Sequence, residues 1–331
     1  MNERDAIQNL WRDAHSRGES AVLATVCEVK GSAYRRPGAR MLLCQSGQSV
    51  GVVNGGCLDG DLWIRARQVM DSGSAQCACY DTTSSEDIVW GLGLGCRGVV
   101  NILIEPVKNL DWLRDENTVA AVFEGASLGT ISLEAEKTRP SGIDELERGR
   151  AWVETFQAPP PLWIFGAGAD ALPLVQMAQT LGWDVSVIDP RAPHPDRRPL
   201  LPSRYLPSQC CGELPFSPRA ACVLMTHNFG HDAEILRAVL PSSAFYVGVL
   251  GPKRRTEELL GFLARQGFAA TDEQRARLHA PIGLDIGAET PEEIALSIVA
   301  ELRACITGRS GGFLRAREAP IHNDTAAEAR A

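Results

Sequence analysis

The chain has 331 residues, 44% of them hydrophobic, which favours two domains with buried cores over one. A net charge of −8 excludes a broadly basic nucleic-acid-binding surface, and no apolar run is long enough to span a membrane. Residues 1–20 carry charges where a signal peptide has an apolar core, so the expected address is cytoplasmic, and the ten cysteines read there as free thiols.

In chain order, residues 4–16 place Ile7, Leu10, Trp11 and Ala14 on one helical face. Ala21 to Val29 reads as a strand. A loop with Arg35 and Arg36 follows, then a hairpin, Arg40 to Cys44 and Gln48 to Val53, around Ser46-Gly47. Asn54-Gly55-Gly56-Cys57 leads into a helix from Leu58 to Met70, closed by Gly73. A strand around Cys79 to Asp81, a second glycine-rich loop from Gly91 to Gly98, and a strand from Val99 to Ile104 complete this part. In residues 107–156, Leu110 to Leu113 and Ile143 to Phe156 read as helices, and Val119 to Phe123 with Leu128 to Leu133 as a hairpin.

The stiff run Gln157-Ala158-Pro159-Pro160-Pro161 is the expected domain boundary. Beyond it strands and helices alternate, which argues for a mostly parallel, Rossmann-like sheet. The last strand-like or turn segment is Pro281 to Ile286, and the last helix is Pro291 to Thr307. The fold class is therefore α/β, with an N-terminal α+β domain over 1–108. A connecting segment spans 109–158, a Rossmann-like domain 159–314, and a loose polar tail 315–331.

Leu162 to Ala171 is a strand, a glycine turn and a helix start, and Asp189 ends the next strand 21 positions after Gly168. Gly166 and Gly168 leave room for backbone amides to approach a phosphate, and Asp189 is spaced to meet a ribose hydroxyl. Asp189 also reads as a turn cap, and the glycines as sites of close helix packing. Arg191, Thr226, His227, Asp232, Gly251, Lys253, Arg254, Arg255 and Asp285 follow other strand ends, the edge where open α/β sheets bind ligands. His227 taken alone reads equally as a structural histidine, and the Lys253 to Arg255 run as a solvated helix start. Arg35 and Arg36 either clamp an anion or solvate a turn.

Cys57 follows two glycines and stands at a helix start, where the helix dipole is expected to lower its pKa below about 8.5. That makes it a nucleophile, a sulfur carrier or a soft metal ligand. Cys96 sits beside Arg97 in the second glycine-rich loop. Both also read as small buried residues.

These stretches resemble a known family. "TVCEVKGSAYRRPG" (Thr25 to Gly38), "GVVNGGCLDGDL" (Gly51 to Leu62) and "YDTTSSEDIVWGLGLGCRG" (Tyr80 to Gly98) are similar to the amino-terminal module of the xanthine dehydrogenase accessory factors, the XdhC/CoxI family. "LWIFGAGADA", "VIDPR", "VLMTHNFGHD", "YVGVLGPKRR" and "APIGLDIGAETPEEIALSIVAEL" resemble, in order, its Rossmann-like module. The departures are Ala171 in place of a third glycine, and Leu58-Asp59 in place of Val-Glu after Cys57.

The resemblance implies a chaperone that binds molybdenum cofactor (molybdopterin or its cytidine dinucleotide form) and supports its sulfuration. It implies insertion of that cofactor into an apo molybdenum hydroxylase of xanthine dehydrogenase type. A cysteine desulfurase is a further implied partner, and a homo-oligomer the implied assembly. On this reading Gly166 and Gly168 admit phosphates, Asp189 fixes a hydroxyl, and Arg254 and Arg255 offset charge. Cys57 faces molybdenum or its sulfur, Cys96 stands with it, and the ligand is expected between the domains. The alternative is an NAD-dependent oxidoreductase using the same turn, with His227 or His279 as the proton-transfer group.

Overall fold

Burial with a period of two organises the first half of the chain. In β1 (Ala21–Gly31), Val22, Ala24 and Val26 pack with α2 (Asp59–Ser72), while Ala21 and Leu23 pack on the opposite side with α1 (Glu3–Ser16). β2 (Arg40–Cys44) and β3 (Ser49–Gly51) form the expected hairpin. With β4 (Gln76–Asp81) and β5 (Gly98–Pro106) they make an antiparallel sheet in the order β3-β2-β1-β5-β4. Gly73 closes α2 with φ of 67° and returns its N–H to the Val69 carbonyl. The computed structural model describes residues 3–81, 98–113, 116–133, 140–191, 204–318 and 321. These fall into two units, Glu3–Ala158 and Pro159–Ile321.

Residues read as a connecting segment contribute a sheet of their own. β6 (Thr118–Gly125), β7 (Gly129–Leu133), β8 (Gly142–Leu146) and β9 (Gly149–Thr155) pair antiparallel in the order β7-β6-β9-β8. The helix expected over Ile143 to Phe156 is thus two strands, and Leu110 to Leu113 is a single turn. The break is at Gly149, with φ of 130°, where a Cβ would stand 2.0 Å from the Glu124 carbonyl oxygen. After it, Ala151 and Val153 alternate inward, a strand period and not a helical one.

The two sheets share a core that includes Cys27, Leu103, Ala121 and Phe123. Polar links join them as well. Buried Glu28 accepts from Arg150 at 2.6 Å, buried Arg40 pairs with Glu154, and Glu105 accepts the Thr130 N–H at 2.7 Å. Burial raises the Glu105 pKa, against the pull of the Thr130 bonds.

The second unit is a six-stranded parallel sheet. Its strands are β10 (Pro161–Phe165), β11 (Asp184–Asp189), β12 (Arg204–Tyr205), β13 (Ala221–Leu224), β14 (Tyr246–Val249) and β15 (Leu278–His279). Their order is β12-β11-β10-β13-β14-β15. The final strand is Leu278–His279 and not Pro281 to Ile286, which forms irregular turns.

The helices are α3 (Ala171–Thr180), α4 (Phe229–Val239), α5 (Lys253–Arg265), the short α6 (Asp272–Ala276) and α7 (Pro291–Ile306). Alternate strand residues feed two layers. Ala221 and Val223 pack with α3 and α7, Cys222 and Leu224 with α4 and α5. Fully buried Val223 and Leu224 each contribute about 1.5–3 kcal/mol. Thr290 and Glu293 form a capping box ahead of Pro291, which fixes where α7 begins. The chain leaves β10 toward β11 and later returns to β13 on its other side. The ends of β10 and β13 therefore flank the crevice where such sheets bind ligands.

Candidate functional site

Two places concentrate the chemistry, one in each unit. In the first, Asn54 shapes the loop that carries Cys57. Its buried Oδ1 accepts the Gly56 N–H at 2.6 Å and the Leu58 N–H at 3.2 Å, and its Nδ2 donates to Asp59 Oδ1 at 2.9 Å. Gly56 has φ of 97°, a conformation that favours glycine. The loop turns Cys57 outward, with Sγ 3.9 Å from Asn54 Oδ1. The thiol stands two residues ahead of α2, with Leu58 as the N-cap.

Other thiols differ. Burial pushes Cys27 up strongly and Cys77 up to about 11. Among the described cysteines, Cys57 and Cys79 are the exposed ones. Cys96 and its glycine loop lie outside the described residues. Arg35 reaches Glu3 Oε2 at 2.9 Å.

In the second unit, the glycine turn follows β10. Gly166 has φ of 117°, and a Cβ there would stand 2.5 Å from the Met225 carbonyl oxygen, so close strand packing requires the glycine. The Gly166 N–H bonds the Ile188 carbonyl, and the Ala167 N–H bonds Asp189 Oδ2 at 3.2 Å. Asp189 also accepts from Arg191 Nε at 2.8 Å, Nη2 at 2.7 Å and the Arg191 N–H at 2.9 Å. Burial raises the Asp189 pKa, but the Arg191 and Ala167 bonds outweigh it, and the net value lies below the ordinary carboxylate range.

Across the turn, Asp170 Oδ2 meets His227 Nε2 at 2.7 Å. This contact joins the ends of β10 and β13. His227 holds φ of 56°, an uncommon conformation for a non-glycine residue. Asp232 is buried and accepts the Thr226 hydroxyl at 2.6 Å and Arg255 Nη2 at 2.5 Å. Thr226 and Asp232 thereby anchor Arg255, whose guanidinium also lies 6.0 Å from the centre of the Phe229 ring. Arg255, His227, Asp170, Gly251 and Glu289 rim a cleft of about 550 Å³ floored by apolar side chains of α3 and α7, including Leu174, Ile294 and Ile298. The volume and the mix of apolar floor and polar rim suit a small-molecule site.

Residues 162–302 match the XdhC Rossmann domain, and residues 14–81 match the XdhC and CoxI family. Over 316 residues the chain is 30% identical to a probable xanthine dehydrogenase subunit of Bacillus subtilis, spanning 86% of this chain and 92% of that protein. The chain belongs to the XdhC/CoxI family. It is also 24% identical to the molybdenum cofactor insertion chaperone PaoD of Escherichia coli, over 88% of this chain and 85% of PaoD. A crystal structure described as a xanthine dehydrogenase from Bacillus halodurans is similar at a TM-score of 0.74 and 30% identity. That likeness covers 94% of this chain and 97% of the other.

Within this XdhC/CoxI chain, the residues expected at the strand ends divide. His227, Gly251 and Arg255 line the cleft, and Thr226 with Asp232 supports it from below. Gly166, Gly168, Asp189 and Arg191 gather at the neighbouring turn and do not line it. Arg254 points to solvent and pairs with Glu258, and Asp285 is exposed and does not line the cleft. His279 lies elsewhere, stacked on Tyr246 and held by Glu301 at 3.1 Å.

Sequence reasoning missed Asn54, Asp170, Glu289 and the α7 floor. An asparagine ahead of Gly-Gly is an Asx-turn signal and was there to be read. The floor was not, because α7 follows the glycine turn by more than a hundred residues. Among the described residues, no group of three or more His, Cys, Asp or Glu is placed to hold a metal ion, and no helix is long and apolar enough to cross a membrane.

Proposed function

We propose that this chain is a chaperone that binds molybdenum cofactor, supports its sulfuration and inserts it into an apo-enzyme of xanthine dehydrogenase type. One observation carries the reading. The likeness to a protein named as a molybdenum cofactor insertion chaperone runs over 88% of this chain, so it spans the Cys57 loop's unit and the cleft's unit alike. The residues fit the cargo's chemistry. An outward-facing thiol offers a soft donor to molybdenum or to the sulfur it receives. Arg255 offers a cation to a phosphate with the His227 imidazole beside it, and the apolar floor offers a surface to a flat ring system. A cysteine desulfurase is the proposed sulfur source.

The test is anaerobic loading of the purified chain with molybdenum cofactor, followed by transfer to apo xanthine dehydrogenase. Wild type retains the cofactor and activates the apo-enzyme. Cys57→Ser lowers retention or delivery, read also as cyanide-releasable sulfur on the bound cofactor. Failure of the wild-type chain to bind the cofactor refutes the reading.

The strand order favours a second reading, an NAD-dependent oxidoreductase. Against it, the Asp189 carboxylate is already taken by Arg191 and Ala167.

A further inference from the structure

We infer that the crevice at the ends of β10 and β13 is open on one side only, and takes a ligand with a single phosphate. Asp170 and His227 are the residues that turn away a diphosphate-linked second nucleotide. The choice of a pterin as that ligand rests on the chaperone reading; the phosphate count does not.

Three observations converge. On the β11 side, Asp189 accepts four hydrogen bonds, from Arg191 and from the Ala167 N–H. A carboxylate has about four lone-pair sites, so a ribose diol would have to displace one of these partners. At the turn itself, Asp170 Oδ1 stands 2.4 Å from where a Gly168 Cβ would be. A negative oxygen thus covers the spot where a dinucleotide's diphosphate meets the glycine turn, and like charges there repel. The other oxygen, Oδ2, holds His227 at 2.7 Å across the switch point, which fixes the barrier in place.

On the β13 and β14 side the situation reverses. The cleft of about 550 Å³ opens there, with Arg255 and the His227 imidazole on its rim alongside the Asp170 and Glu289 carboxylates. Arg255 gives Nη2 to Asp232, and among the described residues its Nε and Nη1 have no acceptor. Anchored at one corner, it presents the rest of its fork to an anion. The imidazole of His227 stands on the same rim. One phosphate is met there, and the path toward Asp189 is shut.

The test uses metal-free probes on the full chain. Fluorescence titrations compare 6-hydroxymethylpterin monophosphate with NADH. Wild type is expected to bind the monophosphate at least about tenfold more tightly than NADH. Asp170→Ala is expected to shift that ratio toward NADH by about tenfold. Asp170→Asn, which keeps the shape and loses the charge, shifts it in the same direction and covers the case in which the alanine variant folds poorly. His227→Asn, chosen because asparagine tolerates positive φ, weakens monophosphate binding.

The inference is overturned if wild type binds NADH as tightly as the monophosphate, if it binds no monophosphate, or if both Asp170 variants leave the ratio unchanged. A chain that passes here yet cannot hold molybdenum cofactor refutes the chaperone reading alone.

Discussion

Asn54→Ala tests how the Cys57 thiol is presented. The substitution deletes three hydrogen bonds, to Gly56 N–H, Leu58 N–H and Asp59 Oδ1. At about 0.5–1.5 kcal/mol each they sum to about 1.5–4.5 kcal/mol. The Gly56 amide lies in an exposed loop and is rehydrated, which lowers the figure. Leu58 is buried, and its orphaned N–H costs about 1–3 kcal/mol on its own. The expected loss is therefore about 2–3 kcal/mol.

Urea denaturation followed by circular dichroism measures it as a lower midpoint at unchanged slope. The rate of Cys57 with an aromatic disulfide reagent is read in parallel, subtracting the signal of Cys57→Ser. That rate is expected to rise severalfold as the loop loosens. Asn54→Asp keeps the acceptor but sets a carboxylate against Asp59, and should fall between the two. A loss below about 0.5 kcal/mol with an unchanged thiol rate would refute the assignment of Asn54 as the loop's organiser.

Arg255→Met leaves the Asp232 carboxylate buried with only the Thr226 hydroxyl, and should cost about 3 kcal/mol, the low end for a broken buried pair because Arg255 is partly exposed. Adding Asp232→Leu should restore much of that loss; no restoration contradicts the pairing. Asp189 has a folded pKa below its unfolded value of about 3.9, so its contribution is complete above that pH and lost as pH falls through the folded value. Asp189→Asn should accordingly flatten the acid limb of stability below about pH 5, measured by urea midpoints. Alkylation at about pH 7.5 followed by peptide mass spectrometry should, among the described cysteines, label Cys57 and Cys79 first. It should spare Cys27 and Cys222, and reach Cys77 only as pH approaches about 11.

The parallel sheet was legible because its signals are local. Strand, glycine turn, helix and Asp189 follow one another within thirty residues, and TPEE at the start of α7 names its own cap. The second sheet was not. "SGIDELERGRAWVET" carries enough acidic and basic residues at helical spacing to read as a helix. Only the backbone at Gly149, where Glu124 approaches too closely for a Cβ, turns it into two strands.

At the site, the strand ends pointed to the right edge, but residue type alone did not separate rim from support. Arg254 and Arg255 are neighbours in sequence, yet a helix turns them about 100° apart, one to solvent and one to the cleft. Asp170 stood in plain view within the glycine turn, and its charge, not its spacing, was the informative property.

The ties of Glu28, Arg40 and Glu105 to residues 130–154 have a practical consequence for dissecting the molecule. A fragment cut after Pro106 would take Glu154 from Arg40, Thr130 from Glu105 and Arg150 from Glu28, which would keep only Asn101 and Lys30, and would strip one side from the β1 and β5 interior. The minimal piece able to display the Cys57 thiol therefore runs to the proline-rich stretch near residue 158, and shorter excisions should be insoluble however complete their own sheet looks on paper.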